Sequence, residues 1–113
     1  IEGLRRDAKP AVLDSLRRAT VGADATLDLH SVRAAIAADR VSRYVREAQR
    51  GGHRRVLIVH GKGLHSENGQ GVLADVVVTA LTEGGAAPLV LAFVTAPVAL
   101  GGAGALLVEL VRR

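Results

Sequence analysis

Two glycine pairs, Gly51-Gly52 and Gly84-Gly85, each close a stretch of helical periodicity and each precede a strand-like run. Between Val32 and Arg50, the residues Ala34, Ala37, Ala38, Val41, Val45 and Ala48 recur at helical spacing and form one apolar stripe, which the first pair ends. Leu73, Val76, Val77 and Ala80 repeat that pattern ahead of the second pair. Strands are predicted at Thr26 to Leu29, Arg55 to His60, Pro88 to Thr95 and Ala105 to Val111. The order β-α-β-α-β-β predicts an α/β fold, a two-layer sandwich with a four-stranded mixed sheet, because parallel neighbours need long crossovers that are usually helical. Ahead of it, residues 1–24 read as an N-terminal extension with a short helix at Pro10 to Arg18, leaving 25–113 as the domain proper.

The last two strands do not alternate cleanly. Leu106, Leu107, Val108, Leu110 and Val111 place apolar atoms on both faces, so either the N-terminal segment or another subunit must cover the second face. A homodimer is thus one of the expected arrangements.

Composition narrows the chemistry. A chain of 113 residues, 49% apolar and 23% charged, supports one globular domain. Zero cysteines exclude disulfide scaffolds, zinc ribbons, thiol catalysis and iron–sulfur ligation, and leave four histidines. No apolar run approaches the roughly twenty residues of a membrane span, and no signal peptide is visible, so a cytoplasmic location without membrane partners is expected. The chain opens at Ile1 without an initiator methionine, as a piece of a longer protein would. The net charge of +4 points to a polyanion, but Tyr44 and Phe93 are the sole aromatics, so phosphate backbone rather than stacked bases should dominate any grip on nucleic acid.

Placing the strands gathers the remaining chemistry. The carboxyl ends of the first three strands and the start of the antiparallel fourth open at one sheet edge, where α/β folds commonly bind ligands. Asp28 and His30 share one strand face at period two, so the carboxylate can orient the ring. The loop His60-Gly61-Lys62-Gly63-Leu64-His65-Ser66 follows a strand and precedes a helix. Its glycines free backbone N–H groups and Lys62 adds charge, the outline of a phosphate cradle. It lacks the Walker spacing, and it lacks the third glycine of a dinucleotide fingerprint. A tight turn that needs glycine only for its dihedrals remains open. His30, His60 and His65 with Asp28 lack any recognised metal-ligand spacing, so no metal site is assigned. Arg33, Arg40 and Arg43, extended by Arg50 and flanked by Arg46, line one side of the first long helix as a polyanion surface or as an ordinary solvated face. Gly102 and Gly104, in Gly101-Gly102-Ala103-Gly104, offer close backbone approach to a phosphate or the plain geometry of a turn.

In this order and spacing, Leu27-Asp28-Leu29-His30, His60-Gly61-Lys62-Gly63, Ala96-Pro97 and Gly101-Gly102-x-Gly104-Ala105-Leu106 resemble the Smr (small MutS-related) domain, and the upstream stretch resembles that of stand-alone bacterial members. The resemblance implies a fold similar to the C-terminal domain of translation initiation factor 3. It also implies nicking endonuclease activity on RNA or DNA, with catalysis at Asp28, His30 and His60. Ser31, Ala103 and Leu107 stand where the family commonly has glycine, threonine and an aromatic.

The expected activity is phosphodiester cleavage by His/Asp general acid–base catalysis, with RNA favoured over DNA. The expected phosphate ligands are Gly61, Lys62, Gly63, His65, Gly102, Gly104, Arg33, Arg40 and Arg43. No cofactor is required for RNA, whereas a divalent metal would be needed for DNA. Association with a ribosome is a further partner that the resemblance suggests. The alternative is a non-catalytic nucleic-acid binding module.

Overall fold

The computed structural model describes residues 1–61 and 69–113. Eight elements follow one another: β1 (Glu2–Leu4), α1 (Ala11–Arg17), β2 (Ala25–Asp28), α2 (Ala34–Arg50), β3 (Arg55–Val59), α3 (Gly69–Glu83), β4 (Val90–Thr95) and β5 (Ala105–Leu110). The strands form one mixed sheet in the order β1-β4-β5-β3-β2. β2 and β3 are parallel, and β5 runs antiparallel to both β3 and β4. The carboxyl ends of β2, β3 and β4 therefore share an edge with the start of β5, as the element order predicts.

The expected α/β fold and mixed sheet are present, with five strands rather than four. Glu2–Leu4 pairs antiparallel with β4, Gly3 lying opposite Phe93. A Cβ at Gly3 would overlap the Phe93 ring, so glycine here is what lets the strand lie against β4. Glu2-Gly3-Leu4 has no β-branched residue and no alternation to mark it. Its pairing is a tertiary event, held further by Arg17, whose guanidinium donates to both carboxylate oxygens of Glu2 at 2.5 and 2.6 Å.

Two apolar layers flank the sheet. On one face α2 and α3 bury Ala37, Val41, Val45, Val77 and Ala80 against Val56, Ile58, Phe93, Leu106, Val108 and Leu110. The stripe read from the sequence is the buried one, except that Ala34 is half-buried and Ala38 exposed. On the other face Leu16 of α1 packs with Ala92, Val94 and Leu107, bordered by Val12, Leu13, Leu57 and Leu100. This explains the poor alternation of β5: all of its residues are buried because helices lie on both sides. Of the two candidates for covering the second face, the N-terminal segment does so, and α1 adds a layer to the predicted two.

Within α2, Tyr44 lies half-buried against the larger core, and burial pushes its phenol up to about 12. Folding favours the neutral phenol, so the stabilisation is intact below the ordinary tyrosine range near about 10 and is lost as pH rises through about 12. Tyr44 is the chain's single tyrosine, so phenolate absorbance reads it alone. The folded protein should ionise well above the urea-unfolded chain. Coincident titrations would contradict this.

Candidate functional site

The parallel register of β2 and β3 sets Asp28 opposite Val59, and the Leu29 N–H donates to the Val59 carbonyl at 2.6 Å. Leu29 is buried, and alternation turns Asp28 and His30 outward. Asp28 Oδ1 accepts two hydrogen bonds from His30, from its backbone N–H at 3.0 Å and from Nδ1 at 2.7 Å. The backbone N–H of His30, then its ring, holds the Asp28 carboxyl below the usual carboxylate range. An ionised carboxylate can only accept, so His30 carries a proton on Nδ1 and presents Nε2 outward.

His60, one residue past β3, is buried, and its Nδ1 lies 2.9 Å from the Gly61 carbonyl oxygen. A carbonyl also only accepts, which again fixes Nδ1–H and leaves Nε2 for chemistry. Gly61 brings the two histidines together. It sits at φ +84, a left-handed conformation natural to glycine, and a Cβ there would lie 3.3 Å from the His30 Cβ. A strut from the third loop completes the arrangement: the Gly104 carbonyl accepts the N–H groups of both His60 and Gly61, each at 3.0 Å.

Those bonds change the role expected of the glycines. The Gly61 N–H is committed to Gly104 and the Gly102 N–H donates to the Pro97 carbonyl at 3.2 Å, so neither is a free anion donor. The physical reason is that a buried or turn N–H is satisfied internally wherever a carbonyl is in reach. Gly102, at φ +60, serves the turn, and buried Gly104 serves as the strut. The Gly104 carbonyl carries no side-chain signal, and only the glycine run marked its place in the sequence. Lys62, Gly63 and His65 lie outside the described residues.

Arg33 caps the start of α2, close in sequence to His30, and its carbonyl accepts the Ile36 and Ala37 N–H groups at 3.1 Å. Arg40 and Arg43 are exposed further along the helix, and the structure does not bring them to the edge. Arg43 instead lines a shallow cavity of about 360 Å³ with Ser42, Arg46, Arg50 and Gly85. Among the described residues no group of three or more His, Asp or Glu side chains is placed to hold a metal, and no helix is long and apolar enough to cross a membrane.

Comparison with known proteins places this geometry. The Smr domain family model matches residues 27–111, which span every site residue named above. The structure is similar to that of YdaL, a stand-alone small MutS-related protein from Escherichia coli. The TM-score is 0.81 at 32% sequence identity, covering 99% of this chain and 82% of that one. It is also similar to the Smr domain of Thermus thermophilus MutS2, with TM-score 0.63 and 29% identity over 76% of this chain and 96% of that one. No curated protein matches the chain. With Asp28, His30, His60 and Gly61 at one sheet edge and the family model spanning them, the chain belongs to the Smr domain family, a family of nuclease-related, nucleic-acid-binding domains.

Proposed function

We propose that this edge is the active centre of an endonuclease that nicks nucleic acid, with RNA preferred to DNA. The observation that carries the reading is the close approach of Gly61, the chain neighbour of His60, to His30, with the Nδ1 of each imidazole held by an acceptor. In RNA, one Nε2 removes the 2′-hydroxyl proton, the 2′-oxygen attacks the adjacent phosphorus, and the other imidazole gives a proton to the departing 5′-oxygen. The products are a 2′,3′-cyclic phosphate and a 5′-hydroxyl. Asp28 orients His30, His65 is the substitute partner, and Lys62 and Arg33 supply positive charge for the nonbridging oxygens. Gly63 contributes backbone approach, while Arg40 and Arg43 attract the flanking phosphates. DNA lacks the 2′-hydroxyl, so cutting it would call for an activated water and a divalent metal.

Incubating RNA and DNA with the protein in chelator tests the reading. RNA cut to cyclic-phosphate and 5′-hydroxyl ends is the expected result. Strict metal dependence would overturn the mechanism, and binding without any cutting would favour a binding module.

A further inference from the structure

The sheet order fixes how the groups at this edge follow one another. The loop from Ala96 to Gly104 lies over the ends of β4 and β5; His60 and Gly61 follow at β3, then Asp28 and His30 at β2, with Arg33 opening α2 beyond. The two flanks differ in charge. From Ala86 to Val108 the chain has no charged residue, with Glu2 and its partner Arg17 lying along β4 beyond it, whereas on the other side Arg33 opens α2. The histidines thus stand between an uncharged loop and Arg33. A nucleotide is divided in the same way, with an anionic phosphate on one side and an uncharged base on the other.

We infer that Val98, at the apex of the uncharged loop, is a specificity residue that packs against the nucleobase beside the scissile phosphate; this rests on the nucleic-acid reading above. Val98 is 93% exposed. A lone exposed valine is ordinary on a protein surface, but this one is mounted on a rigid turn. The Pro97 carbonyl accepts the N–H groups of Leu100 at 2.8 Å and Gly102 at 3.2 Å, and the Val98 carbonyl accepts that of Gly101 at 3.3 Å. Ala96 is buried and donates to the Ala105 carbonyl at 2.9 Å, and Leu100 is packed against the core beneath α1. Gly101, at φ +128, turns the chain back where a side chain would press on Ala105.

The same turn leads into Gly104, the strut of His60 and Gly61, so Val98 is mounted on the scaffold that holds the histidines. A β-branched side chain on a fixed backbone has little rotamer freedom to lose on contact. No aromatic competes for the role, because Phe93 is buried and Tyr44 lies on α2. An apolar side chain presented at a nucleic-acid site acts as a wedge against a base.

The chain has no tryptophan, so one introduced residue gives a clean signal. Val98→Trp is compared with Val21→Trp, since Val21 is also exposed but lies beside Asp24, Arg54 and Arg55 at the opposite edge. The probes are a single-stranded 2′-O-methyl RNA, which cannot be cut by 2′-hydroxyl attack, and inorganic polyphosphate, which has no bases. RNA should quench Val98→Trp emission by about half through base stacking and leave Val21→Trp unchanged. Polyphosphate should quench neither. Val98→Ser should weaken RNA binding about tenfold, the equivalent of exposing one valine, while its affinity for polyphosphate stays the same. RNA binding that alters neither emission, or alters both equally, overturns the role of Val98 and leaves the nucleic-acid reading standing. Failure of the unmodified protein to bind the RNA overturns that reading, and the role of Val98 with it.

Discussion

Replacing either His30 or His60 by alanine is expected to lower the RNA cleavage rate about a hundred- to ten-thousand-fold, the usual contribution of a positioned general acid or base. Affinity for the same RNA should change by less than about twofold, because neither imidazole is assigned to hold the phosphate backbone. The two readouts, single-turnover cleavage and fluorescence anisotropy, separate chemistry from binding. The double variant should be little slower than the worse single one, since groups that act as a unit are not additive. His60 is buried, so His60→Gln serves as a control that keeps most of the volume. Cleavage by His30→Ala at the parent rate would remove His30 from the mechanism.

The pH behaviour of that site has a definite sign. His30 holds Asp28 below the usual carboxylate range, so the clamp is fully formed above the ordinary aspartate pKa. It is lost only as pH falls through the lowered value. Any acid loss of activity at milder pH therefore arises elsewhere than at Asp28.

The second large effect concerns stability. Leu16 is fully buried among Ala92, Val94 and Leu107, and Leu16→Ala should cost about 2–5 kcal/mol in urea unfolding. The helix around it is short and depends on this packing for its place, so the loss should propagate to the cover of the second face. Removing residues 1–24 should then expose Leu57, Val94, Leu100 and Leu107 together and drive association, measurable by sedimentation. A soluble, monomeric truncation would show that α1 is dispensable as a cover.

How far the sequence could be read follows from the range of the interactions involved. The long helices and central strands are written in local periodicity, and the structure buries Val41, Val45, Val56 and Ile58 as their spacing requires. The Asp28–His30 pair was legible for the same reason, since period two on a strand sets them on one face whatever the rest of the chain does. β1 was not legible, because three residues with a central glycine carry no pattern, and their partner is the distant β4. The fate of the glycine N–H groups was also hidden. Free and committed donors look alike in a sequence, and the Gly104 carbonyl that claims two of them arrives from another loop.

The sequence by itself determined the element order, the shared edge and the residue types gathered there, because these depend on short-range spacing and on strand direction. Tertiary structure decided which face α1 covers, that Gly61 lies against His30, and that the Gly104 carbonyl takes the N–H groups of His60 and Gly61. Those are contacts between segments far apart in the chain, and side-chain packing and backbone hydrogen bonding select them only once the sheet is assembled.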